Sequence, residues 1–202
     1  MKTIFILLIA FLSIYATCSK KKECINATYS FNGDFRAFPD KDSIRIGDSI
    51  VLEFNHSVNF IDLVNNVVVE FNGAQNLGIL ISLTEVLPLS ETGANGSFNF
   101  RLLNGQLVNN QINPTQSKEY LFDEINSRYI FKLHLTAKKI GKYGITIGNA
   151  ANVYTSKNKC AQAFFEFKFK ETNQHFYLFN QWRPNIVLQE PGKSRVYYFE
   201  VY

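Results

Sequence analysis

Few residues in this chain have the type and spacing to do chemistry. Three histidines, His56, His134 and His175, could serve acid–base or metal chemistry, but they lie far apart in no recognised spacing. No Gly-x-Ser-x-Gly elbow, His-Glu-x-x-His pair or phosphate loop accompanies them. Asp40, Asp42 and Asp48 cluster around Ser43-Ile44-Arg45-Ile46-Gly47. A calcium loop of the EF-hand type needs an oxygen ligand where Ile44 stands and a closing Glu. Turn and edge-capping roles suit these aspartates better, because Asp readily bonds its own backbone. The strongest binding candidates are aromatic. Phe176, Tyr177, Phe179, Trp182, Tyr197, Tyr198, Phe199 and Tyr202 crowd the C-terminal 27 residues. Exposed, Trp182, Tyr177 and Tyr197 would form a stacking platform for a sugar or peptide. Packed inward, they would simply close the core, and the helical spacing of Phe176, Phe179 and Trp182 favours that reading. The expectation is therefore a protein with no catalytic residue, no metal site and no cofactor.

The amino terminus carries a second kind of chemistry. After Lys2, the run Ile4–Leu12 is apolar over nine residues. A membrane-spanning helix needs about 20, so this run fits a cleaved export signal. It is followed by Ser13-Ile14-Tyr15-Ala16-Thr17-Cys18. Small residues before a cysteine resemble the lipobox of Gram-negative cell-envelope lipoproteins. Tyr15 departs from the aliphatic residue usual there. The resemblance covers about the first 20 residues. It implies that residues 1–17 are a signal peptide and that Cys18 is acylated as the first mature residue. The other outcome is ordinary cleavage after Ala16 or Thr17, giving a soluble secreted protein. In that family Asp after the cysteine favours inner-membrane retention and acidic stretches favour surface export in some groups; here Ser19, Lys20, Lys21 and Lys22 follow. The implied location is the outer membrane, facing the periplasm rather than the cell surface. Residues 18–25 form the tether. Its three lysines could touch anionic head groups, each worth about 1 kcal/mol at most, or be an ordinary solvated linker.

With Cys18 lipidated, Cys24 and Cys160 remain, in an oxidising compartment that favours a disulfide between them. Two free buried thiols are the alternative. Zinc is disfavoured, since neither cysteine has a second ligand at zinc-type spacing. Asn26-Ala27-Thr28, Asn55-His56-Ser57 and Asn95-Gly96-Ser97 are glycosylation sequons that matter only in a eukaryotic secretory route.

Loss of residues 1–17 leaves 185 of the 202 residues, enough for one domain with a real core. The formal net charge of +4 falls to +3 with Lys2, and no basic stripe interleaves with aromatics, which excludes nucleic acid. The 19 Phe and 10 Tyr favour pleated, half-buried surfaces. Alternation is clearest at Arg128–Thr136, where Tyr129, Phe131, Leu133 and Leu135 share a face. Ala163–Phe169 and Tyr143–Ile147 repeat it. Further strands are predicted at Thr28–Asn32, Ser43–Ile46, Ser49–Phe54, Asn66–Phe71, Leu77–Leu83, Ser97–Leu103 and Arg195–Tyr202. Gly33, Gly47, Gly73, Gly96 and Gly105 punctuate them as turns. The polar span Asn104–Asp123 reads as a long loop. Asn173 is the expected N-cap of a short helix reaching Trp182, and Pro191-Gly192 a turn.

These patterns predict a mainly β fold: an Ig-like β-sandwich over residues 26–202, with at most one or two short helices near the C-terminus and a helix-turn-strand appendage from about 173. The expected function is that of an uncharacterised membrane-anchored envelope lipoprotein, a non-catalytic binding or assembly module with an envelope protein as partner. The alternative is a carbohydrate-binding or glycan-processing accessory protein using the C-terminal aromatics.

Overall fold

A computed structural model describes residues 27–108, 117–155, 161–170, 174–187 and 193–202. Its strands, in chain order, are β1 (Thr28–Phe38), β2 (Ser43–Ile44), β3 (Ser49–Ser57), β4 (Asn59–Asp62), β5 (Val67–Glu70), β6 (Ala74–Gln75), β7 (Gly78–Val86) and β8 (Glu91–Gly93). After a short 3-10 turn at Asn95–Ser97 come β9 (Phe98–Asn104), β10 (Gln106–Leu107), β11 (Ser117–Leu121), β12 (Asp123–Ile125), β13 (Arg128–Ala137) and β14 (Gly141–Ile147). Then follow β15 (Ala150–Thr155), β16 (Gln162–Phe169), helix α1 (Phe176–Trp182) and β17 (Val196–Val201).

Two sheets and a hairpin result. The first sheet runs β12-β13-β3-β1-β16-β15-β6, with β9 also beside β13; the second runs β10-β11-β7-β14-β17-β2, with β8 beside β7. Pairing is antiparallel except for β1 with β16 and β2 with β17. The sheets face each other across one core. Phe31, Phe35, Phe54, Phe131, Phe165 and Phe167 enter it from the first sheet, and Ile81, Leu83, Tyr143, Ile145 and Phe199 from the second. The chain is thus the Ig-like β-sandwich that its alternation predicts. Every second side chain along β13 and β16 is buried, because the pleat sends neighbours to opposite faces. The rings interlock: Phe35 stacks on Phe54 at 5.2 Å and meets the edge of Phe167 at 5.6 Å. Such pairs add about 0.5–1.5 kcal/mol each beyond simple burial.

Gly33 is not the turn expected of it. It sits inside β1, which continues to Phe38. A Cβ at Gly33 would lie 2.6 Å from the Phe167 ring and 2.9 Å from the Phe54 ring. Glycine is there to let two buried rings reach the backbone, a demand invisible in the local sequence. Gly33→Val should cost about 2–3 kcal/mol through overpacking, read as a lower urea midpoint with an unchanged m-value. An unaltered midpoint would show that the rings move aside freely.

Three other expectations are corrected. The span Asn104–Asp123 is not one loop: β10 and β11 lie in it and β12 starts at its end. Tyr120 is buried, and the polar neighbours of β11 are carried by main-chain pairing with β7. Nor is the C-terminal strand an appendage, since β17 lies between β14 and β2 in the second sheet. The helix starts at Phe176 behind His175, whose left-handed backbone (φ 45°) makes the N-terminal boundary without a side-chain cap. Asn173, Pro191-Gly192, the signal segment, the tether, Cys18, Cys24 and Cys160 lie outside the described residues.

Candidate functional site

A polar concavity lies on the outer face of the first sheet, and β1 makes it. Residues Thr28–Phe35 of β1 pair with β16, whereas Arg36–Phe38 pair with β3. Where β1 changes partner, its outward side chains Asn32, Asp34 and Arg36 floor a cleft of about 530 Å³. Lys168 and Lys170 close it on the β16 side, and Glu53, Asn55, His56 and Arg128 on the β3 and β13 side.

Register explains the meeting of these residues. Asp34 lies opposite Lys168, and Glu53 lies between Arg36 on one side and Lys132 on the other. Arg128 is held, with Nε donating to Asn55 Oδ1 at 2.6 Å and Nη2 to the Asn55 carbonyl at 3.3 Å. The side chains of Arg36, Lys168 and Lys170 make no hydrogen bond or ion pair among the described residues. Four cations against Asp34 and Glu53 leave the lining positive. The cleft contains no Phe, Tyr or Trp. Its chemistry suits a polar, acidic ligand held by charge-assisted hydrogen bonds, not an apolar one.

The C-terminal aromatics separate. Tyr197 is fully buried, its hydroxyl donating to the Lys41 carbonyl at 2.6 Å, so it belongs to the core and not to a platform. Trp182 is half-buried, edge-on to Tyr198 at 6.3 Å, and packs with Phe176 against the group formed by Val86, Phe179 and Val196. Tyr177 alone of the three is exposed; its hydroxyl donates to Asp42 Oδ2 at 2.6 Å. That bond pushes the phenol up to about 12 and holds the Asp42 carboxyl below its ordinary value. Beside it, His175 Nε2 meets Asp40 Oδ1 at 3.0 Å while Nδ1 faces the Tyr198 carbonyl at 3.1 Å. These contacts fasten α1 to the segment between β1 and β2. Asp48 is used in a turn, accepting from the Arg45 N–H at 3.0 Å. Among the described residues no His, Cys, Asp and Glu group is placed to hold a metal ion.

The histidines stay apart in environment. His56 stacks on Phe60 at 4.3 Å, His134 lies on the outer face of β13, and His175 lies under Tyr197 at 5.0 Å. Sequence reasoning did not find the cleft. Alternation assigns a residue to a face; only pairing order says which faces adjoin.

No family model and no curated protein matches the chain. Some solved structures do. A cohesin module from the family 33 glycoside hydrolase of Clostridium perfringens is 13% identical, covering 69% of this chain and 99% of its own, with a TM-score of 0.28. The type II cohesin dyad from the adaptor ScaA scaffoldin of Acetivibrio cellulolyticus is 6% identical, over 72% of this chain and 47% of its own, with a TM-score of 0.28. A non-cellulosomal cohesin from the hyperthermophilic archaeon Archaeoglobus fulgidus is 10% identical, over 70% and 86%, with a TM-score of 0.25. Likeness at this level carries no inference about what this chain binds.

Proposed function

We propose that this protein is a non-catalytic binding module of the cell envelope, held at the outer membrane through acylated Cys18 and braced by a Cys24–Cys160 disulfide. Its ligand face is the cleft on the first sheet, and its ligand is an acidic segment of an envelope partner. One observation carries this reading: Arg36, Lys168 and Lys170 stand around one concavity without partners among the described residues. Unpaired cations in a concave surface focus potential and steer an oppositely charged ligand.

The test uses a fluorescent oligo-glutamate peptide as probe and the mature protein. Combined Arg36→Ala, Lys168→Ala and Lys170→Ala should weaken binding about tenfold, as three exposed charge contacts of about 0.5 kcal/mol each imply. Lys138→Ala, Lys139→Ala and Lys142→Ala, around the β13–β14 turn, should leave binding intact. Equal losses in the two triples would mean diffuse attraction and remove the cleft as the site.

A second reading rests on Asp34 and Glu53, which share the cleft. Two carboxylates flanking a bound sugar are the machinery of glycoside hydrolysis. Turnover of an oligosaccharide that Asp34→Asn or Glu53→Gln abolishes would install that reading in place of the first.

A further inference from the structure

The β4–β5 hairpin stands outside both main sheets and shows two unlike faces. Inward, Phe60 is buried against His56, Phe31 and Phe165, and Asp62 is buried beside it. Outward, Ile61, Leu63, Val64 and Val68 are between 49% and 76% exposed. Ile61 and Val68 are cross-strand partners, so their side chains adjoin, and Leu63 and Val64 extend the patch to the tip. Four aliphatic residues exposed on one side within eight positions form a surface that a soluble monomer ordinarily avoids.

At the tip the turn's polar groups bond back toward its root, whereas Asn59 and Glu70, paired with each other, are exposed at the other end of the outward face. The buried Asp62 carboxylate accepts from the Ser30 N–H at 2.9 Å and from the Asn65 N–H and side-chain amide at 3.2 and 2.6 Å. Those bonds hold its carboxyl below the ordinary range. The Asn66 N–H is bonded to the Asp62 carbonyl at 2.8 Å. The tip presents Leu63 and Val64 beside the exposed Asn65 and Asn66, over a turn whose backbone N–H groups are bonded, as a low-dielectric contact requires of the main chain.

Position selects the occupant. The hairpin is fastened to the start of the first strand: the Leu63 N–H donates to the Ser30 carbonyl at 2.8 Å, in return for the Ser30 N–H bond to Asp62. Ser30 lies 12 residues after Cys18, a reach of about 40 Å at most at about 3.3 Å per residue. Lys20, Lys21 and Lys22 lie on that stretch. The end of the sandwich that bears the aliphatic patch is the end at which the chain arrives from its anchor. We infer that the outer face of the β4–β5 hairpin rests in the lipid surface, giving the domain a second contact with the bilayer and a fixed orientation. This inference builds on the acylated-anchor reading.

The test uses the mature lipidated protein on vesicles of phosphatidylethanolamine and phosphatidylglycerol. Val64→Trp in a Trp182→Phe background places one indole at the tip. Its emission should shift to the blue on vesicles, be quenched by brominated lipid and resist iodide. In the unacylated Cys18→Ala chain, Val64→Asp with Val68→Asp should lower vesicle partitioning about tenfold or more. A fatty-acid probe scores Cys18 separately. Acylated protein whose tip indole stays accessible to iodide overturns the hairpin inference and leaves the anchor standing. Unacylated protein whose tip still enters lipid supports the hairpin and removes the anchor. A blue shift without vesicles that grows with protein concentration overturns the inference, assigning the face to a second copy of the chain.

Discussion

Cys18→Ala will move the protein from the membrane fraction to the soluble fraction and abolish incorporation of a fatty-acid probe. Ile4–Leu12 is too short to span a bilayer as a helix, so uncleaved retention through this run is a poor anchor. Among the described residues no helix is long and apolar enough to cross a membrane. Stable attachment by lipid requires more than one acyl chain, each buried CH₂ contributing about 0.8 kcal/mol, and one chain alone holds only marginally. A processed lipoprotein cysteine meets that requirement, whereas the hairpin face and three tether lysines provide only a weak supplement. The expected change in the membrane-bound fraction is therefore nearly complete at physiological salt. Persistence of the Cys18→Ala protein in washed membranes would reject acylation as the anchor.

Cleavage of the mature protein under non-reducing conditions will yield a peptide pair linked through Cys24 and Cys160. The sandwich supplies the reason. Thr28 lies opposite Gln162 in a parallel pairing, and the Gln162 N–H donates to the Ala27 carbonyl at 2.9 Å. Thr28 and Gln162 thus begin neighbouring strands at the strand spacing of about 4.8 Å. Cys24 lies four residues before Thr28 and Cys160 two before Gln162. Disulfides need Cα atoms about 4.4–6.8 Å apart, so neighbouring strands start within the required range. Closing a loop of this length is worth about 5 kcal/mol in the chain-entropy model, an upper-end figure. Cys24→Ser with Cys160→Ser should accordingly remove about 3–5 kcal/mol and lower Tm by on the order of 10 °C for a domain of this size. Two thiols that alkylate freely in the folded protein would refute the pairing. With the bond in place, only six residues separate the anchor from the folded body, about 20 Å when extended. That brings the hairpin close to the lipid surface.

These expectations draw on different levels of the molecule. Strands with one buried face were legible one residue at a time: Tyr129, Phe131, Leu133 and Leu135 alternate with polar residues because the pleat has a period of two. So were the turns at Gly47, Gly73 and Gly105, where φ is positive. Gly33 misled because its cause is a pair of rings from β3 and β16. The β11 strand was hidden by polar neighbours, since strand pairing is a main-chain property and needs little from side chains. Tyr197 and Trp182 were inseparable as aromatics in the sequence; one entered the core and the other stayed at its margin.

By itself the sequence determined the fold class and the chemistry available: many half-buried strands, no motif for catalysis, and a lipobox-like start, all carried by residues adjacent along the chain. Tertiary structure alone decided where that chemistry meets. Asn32, Asp34 and Arg36 join Lys168 and Glu53 only because β1 leaves β16 for β3, and the aliphatic hairpin lies by the arriving chain only because Asp62 reaches back to Ser30. Local pattern is set by the geometry of one strand. Juxtaposition is set by which strands pair, and that is decided by the free energy of burying the whole core at once.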